Sequence, residues 1–226
     1  MDIVPSRVFS GLYIIIDTVF LLILGALLFF SKRRRAFYFG LFGGLLYFLV
    51  DYGIFYLALH ARVVSGAPTG PFLFWLSMSY GFTNFAWIYL MLDKDEYRVE
   101  WSVFIFFYWI AEALLAQNFG SSWPLISISR TTTSYHGVMA LIMIVGYLIL
   151  IVENIFYKKK INIPYILFIG ITVQLGWETA LLVTGIRQSG LETLVINSLI
   201  ETNLGLPYIY HIHSFIDKRF GELPPP

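Results

Sequence analysis

Long apolar stretches alternate with short polar punctuation along the whole chain, and seven of them are long enough to cross a bilayer. A spanning helix needs about 20 mainly apolar residues. On that length the stretches fall at 10–30, 36–61, 71–92, 101–117, 136–157, 162–185 and 191–215. They end at the Ser31–Arg35 run, Gly66–Pro71, Asp93–Glu100, the Ser/Thr-rich stretch 121–134, Lys158–Lys160 and Arg187–Gly190. The pattern predicts an all-α, polytopic membrane protein, a seven-transmembrane-helix bundle, with residues 1–226 forming a single membrane domain. One extended loop, 118–135, is expected to cap one end of the bundle, and Pro224–Pro226 to form a loose tail. The first apolar segment is too long for a signal peptide and lacks a basic leader, so it is expected to remain as the first span.

Polar residues inside the apolar stretches change the picture most. Asp17, Asp51, Asn84, Glu112, Glu178 and Glu201 each lie within a predicted span. A charged side chain at the bilayer centre costs roughly 2.5–3.5 kcal/mol on insertion scales, so several on different helices point to a shared polar site. Four residues before each stands another polar or aromatic group: Tyr13, Tyr47, Tyr80, Tyr108, Gln174 and Asn197. Residues at i and i+4 share a helix face, so each pair is expected to present one hydrogen-bonding patch to the bundle interior. The simpler reading is that such pairs are interhelical hydrogen bonds that hold the bundle together.

Charge supplies orientation. Lys32, Arg33, Arg34, Arg35, Lys94, Arg98, Lys158, Lys159, Lys160, Lys218 and Arg219 lie on one side of the predicted spans, and Arg7, Arg62, Arg130 and Arg187 on the other. Cytoplasmic loops carry the excess of basic residues, which places the N-terminus outside and the C-terminus in the cytoplasm. Asp17, Asp51, Glu112 and Glu178 then gather in the outer half of the bundle, Glu201 and Asn84 lie near mid-depth, and His136 opens the fifth span.

Composition agrees with a multi-pass integral membrane protein: 58% of residues are hydrophobic and 13% charged, with a mean hydropathy of +0.74. A soluble domain of this size needs more charge on its surface. The formal net charge of +1 and the lack of a basic stripe exclude nucleic acid as a partner. There is no cysteine, hence no disulfide and no thiolate metal ligand. No metal and no cofactor are expected: neither HExxH nor a His/Asp cluster with metal spacing occurs. His211 and His213 alternate near the end of the last span and read as interfacial anchors. Glu153, a turn from Lys158–Lys160, reads as paired or snorkelling, and Glu192 and Glu222 as interfacial. Every lysine lies at a span end or loop, which excludes a retinal Schiff base. The last span is expected to kink, because Pro207 removes the hydrogen bond to the carbonyl of Asn203.

The layout resembles the integral-membrane terpene cyclases of the fungal paxilline and pyripyropene pathways and their bacterial relatives. The residues that carry the likeness are Tyr47-Phe48-Leu49-Val50-Asp51-Tyr52-Gly53-Ile54-Phe55-Tyr56 in the second span and Glu201 within Leu199–Pro207 in the last. The third span, ending Tyr89-Leu90-Met91-Leu92-Asp93-Lys94 before Trp101, fits the same run. The family keeps a Glu in the second helix and an Asp in the last; here the acid types are exchanged and the preceding Trp is absent. A Trp-Glu dipeptide does occur, as Trp177-Glu178 on the sixth span.

The resemblance implies an intramembrane enzyme that acts on a hydrophobic isoprenoid-type substrate by acid-initiated cyclisation. Asp51 and Glu201 would be the acid–base pair, with Glu178 and Glu112 as supports or alternates. Tyr47, Tyr52, Phe55, Tyr80, Asn84, Trp87, Tyr108, Trp109, Trp177 and Asn197 would line the substrate site, where aromatic faces stabilise a carbocation. Expected partners are membrane lipids and a hydrophobic small molecule. A small transporter or ligand-binding membrane protein with an outward-facing acidic cavity is the alternative, because a carrier also places acids in an outward cavity and breaks a helix.

Overall fold

The computed structural model describes residues 6–130, 136–187 and 190–220. A short strand, β1 (Ser6–Ser10), leads into α1 (Gly11–Phe30). Ser10 caps that helix by accepting from the Tyr13 amide at 3.2 Å. Next come α2 (Arg34–Phe48), which continues as a π-helical segment Leu49–Ala58, and β2 (Arg62–Ser65). The third rod is α3 (Thr69–Ser77), a π-helical turn Met78–Phe82 and α4 (Thr83–Leu92). There follow α5 (Arg98–Phe119), β3 (Leu125–Arg130), α6 (His136–Tyr157) and α7 (Ile163–Val183). The last rod is α8 (Leu191–Ile200) and α9 (Leu206–Phe220).

The protein is thus mostly helical. Five helices are long and apolar enough to cross a membrane: Gly11–Phe30, Arg34–Ala58, Arg98–Phe119, Gly137–Tyr157 and Ile163–Val183. The third and last apolar stretches are helical too, but each is built from shorter pieces. In the third, every residue from Thr83 to Met91 is buried, so α4 is enclosed on all sides. In the last, the turn at 201–205 separates α8 from α9. The expected kink at Pro207 is therefore a break one step earlier. Pro207 instead sits in the first turn of α9, where its missing N–H costs nothing.

Close approach at α2 depends on glycine. A Cβ on Gly43 would lie 2.2 Å from Phe85 Cγ, and one on Gly81 would lie 2.6 Å from Tyr47 and 2.9 Å from the Gly44 Cα. Small residues let helix backbones approach where packing drives association. This contact brings Asp51 and Tyr80, each carried by a π-helical segment, to face one another.

The all-helical expectation needs correction at one end of the bundle. β1, β3 and β2 form a three-stranded antiparallel sheet in that order, pairing Arg7 with Ile128 and Val64 with Ile128. The expected loop 118–135 contributes its central strand, and residues 131–135 lie outside the described part. Alternation sets the inward face: Arg7, Phe9, Ile126, Ile128 and Arg62 are buried, whereas Val63 is exposed. Past α7 the chain rejoins this edge through a bridge between Arg7 and Arg187. Three arginines are thereby aimed into the bundle.

Candidate functional site

Three groups of buried polar residues occupy the sheet end of the bundle. In the first, Asp51 accepts from Arg62 Nη2 at 2.7 Å and Nε at 3.3 Å, and from the Tyr80 hydroxyl at 2.5 Å. Arg62 also lies 4.4 Å over the Phe55 ring. Both Asp51 oxygens therefore take charged or hydroxyl donors, and the group is 6% exposed.

The second group centres on Glu178, which is fully buried. Arg187 donates to its Oε2, and an Arg7 nitrogen lies 3.7 Å from its Oε1. Asn197 sits between them; with its oxygen turned towards Arg187 it accepts at 2.7 Å. Gln174 Nε2 reaches both Glu178 Oε1 at 3.2 Å and Glu201 Oε2 at 2.9 Å. Thr202 Oγ1 fixes that amide by donating to Gln174 Oε1 at 2.6 Å. Glu201 stands at the C-terminus of α8, where the helix gives way to the 201–205 turn.

Aromatic rings join the first two groups. Tyr47 lies 4.7 Å from Tyr80 between ring centroids, Tyr80 lies 6.1 Å from Trp177, and Trp177 lies 5.2 Å from Trp109. Tyr47 is within electrostatic reach of both Asp51 and Glu201. Trp87 continues the chain, 5.9 Å from Trp109, and donates to Ser102 Oγ at 2.7 Å.

The third group is Asp17 and Glu112, both fully buried. Ser79 Oγ donates to Asp17 Oδ1 at 2.8 Å, and the Tyr13 hydroxyl donates to Glu112 Oε1 at 3.0 Å.

The structure brings together Asp51, Tyr80, Phe55, Tyr47, Trp177, Glu201, Glu178 and Asn197, with Trp109 and Trp87 behind them. Glu112 stands with Asp17 instead, and Tyr108 stacks on Phe20 beside that pair at 4.2 Å. Tyr52 turns away: it stacks between Phe48 and Tyr56 at 5.2 and 5.4 Å. Asn84 is buried on α4 with no partner for its Oδ1. The His136 and Glu192 side chains and Glu222 lie outside the described residues.

The i, i+4 expectation needs a correction. Gln174 and Glu178 do bond one turn apart, but Tyr13 reaches across to Glu112 and Tyr80 across to Asp51. The tyrosines serve acids on other rods. Arg7, Arg62, Arg187 and Ser79 belong to the site without being expected there, the arginines reading as loop charges; Gln174, expected beside Glu178, also reaches Glu201. The arginines' one visible signal is position, each standing beside a span end rather than in a basic run.

At the opposite end Glu153 pairs with Lys159 at 2.7 Å. His211 and His213 stand 3.6 Å from Glu153 and Asp93 respectively. Among the described residues no group of three or more His, Asp or Glu side chains is placed to hold a metal ion.

Fold and site together define a helical protein with membrane-length helices, a small strand cap and a buried polar centre. No protein family, characterised protein or solved structure matches this chain.

Proposed function

We propose that this is a multi-pass integral membrane protein with seven rods across the bilayer, the sheet end and N-terminus outside and the C-terminus cytoplasmic. Five membrane-length apolar helices support this. So does the burial of Arg7, Arg62 and Arg187, which removes three of the four basic residues from the sheet end and deepens the charge asymmetry. Exposed Leu141, Ile144, Leu148 and Ile155 on α6 make a surface suited to lipid rather than water.

Within that frame the proposed activity is acid-initiated cyclisation of a hydrophobic isoprenoid-type substrate. One observation carries it: Asp51 is bonded by Tyr80 at one end of the Tyr80–Trp177 ring contact, and Glu201 is tied through Gln174 to Glu178, the residue after Trp177, at the other. Glu201, held by the Gln174 amide, would donate its proton to an epoxide oxygen or alkene carbon of the substrate. The resulting cation would close rings by attack of neighbouring double bonds, beside aromatic faces that stabilise it. Asp51, anchored by Arg62 and Tyr80, would take the proton lost from carbon at the end. Proton return to Glu201 completes an isomerisation with no net change in protons.

The test uses the purified protein with a prenylated epoxide. Asp51→Asn and Glu201→Gln should each abolish product formation while the protein still inserts; normal turnover by both would sink the assignment. A cavity beside Tyr13 favours a second reading, a small transporter or ligand-binding membrane protein. Substrate counterflow in liposomes without product would decide for it.

A further inference from the structure

Asp17 and Glu112 take no part in either arginine cluster. Arg62 is committed to Asp51, and Arg187 and Arg7 to Glu178. Among the described residues neither Asp17 nor Glu112 forms an ion pair. Each has one oxygen provided for, by Ser79 and Tyr13 respectively. The other two oxygens, Asp17 Oδ2 and Glu112 Oε2, have no donor, and Asp17 stands one turn from Tyr13 on the face of α1 that meets Glu112 of α5.

A carboxylate only accepts, so two ionised groups facing each other leave both oxygens unsatisfied. Two buried charges without a cation compound that cost. One proton between them removes both difficulties. The nearer surroundings are neutral: the Trp75 indole faces Asp17 from α3, and Tyr108 lies beside both acids on α5. Arg7 of β1 bears on the site from the Tyr13 side.

A way in is also present. A cavity of about 310 Å³ at the sheet end is lined by Tyr13 together with Ser10, Gln117, Ser121 and Thr184. Its lining is mixed, with Val8, Ala113 and Leu125 beside the polar groups, and the hydroxyls and the Gln117 amide give water several partners there. Tyr13 forms part of its wall and donates to Glu112 on the other side.

We propose that Asp17 and Glu112 are a proton-binding site, holding one proton between two carboxyls and exchanging it with the sheet end through Tyr13 and the adjoining cavity. The site is independent of the cyclisation reading.

Infrared difference spectroscopy on the full-length protein in detergent at neutral pH tests it, by the carbonyl stretch of a protonated carboxyl and its shift in D2O. The wild type should show such a band, and the Asp17→Asn/Glu112→Gln double variant should lose it. An undiminished band in the double variant, or no band in the wild type, overturns the proposal. Tyr13→Phe keeps both carboxyls, so this arm does not depend on the double variant folding. It should retain the band but exchange isotope at least tenfold more slowly; exchange at the wild-type rate overturns the Tyr13 route. Asp51→Asn and Glu201→Gln should leave the band lost in the double variant in place, which separates this test from that of the cyclisation site.

Discussion

Two pairs of buried acids lie at the same end of this molecule and are accommodated in opposite ways. Asp51 and Glu178 are met by guanidinium groups from the strand cap: Arg62 of β2, Arg187 beyond α7 and Arg7 of β1. Asp17 and Glu112, on α1 and α5, are met by hydroxyls from Ser79 and Tyr13. The helices themselves carry the acids; the cations come from strands and connections. Among these four acids, charge is balanced where the sheet reaches, and the other pair relies on hydrogen bonds and a proton. The difference also assigns capacities. A carboxylate beside arginine has its counter-charge in place and stands ready as an acceptor, while one held by neutral donors alone is served by a proton.

Removing a cation from the first pair should have the largest effect. Arg187→Met leaves fully buried Glu178 with only the longer, 3.7 Å contact to Arg7 among these cations, and should destabilise the protein by about 3 kcal/mol, near the lower end for buried pairs that lose one partner. Denaturant unfolding in detergent measures this. Adding Glu178→Gln should recover part of the loss, since the under-compensated carboxylate is gone although Arg7 loses a partner too; no recovery would break the comparison. Tyr80→Phe comes next. It deletes a hydroxyl bonded at 2.5 Å to Asp51, and should cost about 1.5–3 kcal/mol because the acceptor is charged. Tyr13→Phe deletes the matching hydroxyl of the second pair, at 3.0 Å from Glu112. With a proton shared there, the loss should fall to about 0.5–1.5 kcal/mol. Equal losses for the two tyrosines would mean that the two pairs carry similar charge.

Much of the scaffold was legible because apolar length is a strong signal. The helix boundaries at α1, α6 and α7 fall within a few residues of the hydropathy edges. The sheet went unread although Ile126 and Ile128 alternate with Ser127 and Ser129, a period-2 signal six residues long beside much louder apolar runs. The arginines were read as loop charges because sequence position does not tell which face of a short strand points inward. The i, i+4 pairing is right for Gln174 and Glu178, but Tyr13 and Tyr80 serve acids on other rods. A tyrosine is long enough to reach the next rod, and the π-helical segments at 49–58 and 78–82 re-aim Asp51 and Tyr80 away from their straight-helix directions. Gly170 shows the same limit from the other side. Its Cβ would fall 2.1 Å from Asn203 Oδ1, so it makes room for the break in the last rod, a purpose visible only when both rods are in place.

The smallest effect is also the most discriminating. Asp17→Asn replaces a carboxyl by an amide of the same shape. Its oxygen can still accept from Ser79 Oγ, as Asp17 Oδ1 does at 2.8 Å. Its N–H can donate to the free Glu112 oxygen, supplying permanently the hydrogen that the pair otherwise has to bind. The expected change in stability is therefore within about 1 kcal/mol, in either direction, near what a single neutral hydrogen bond contributes. The same exchange at Asp51 leaves the Arg62 guanidinium buried beside a neutral amide and should cost several times more, on the order of 3 kcal/mol. Unfolding both variants side by side isolates the contrast. If Asp17→Asn proved as costly as Asp51→Asn, then Asp17 would be serving as a charge, and the proton placed between the two acids would have no work to do.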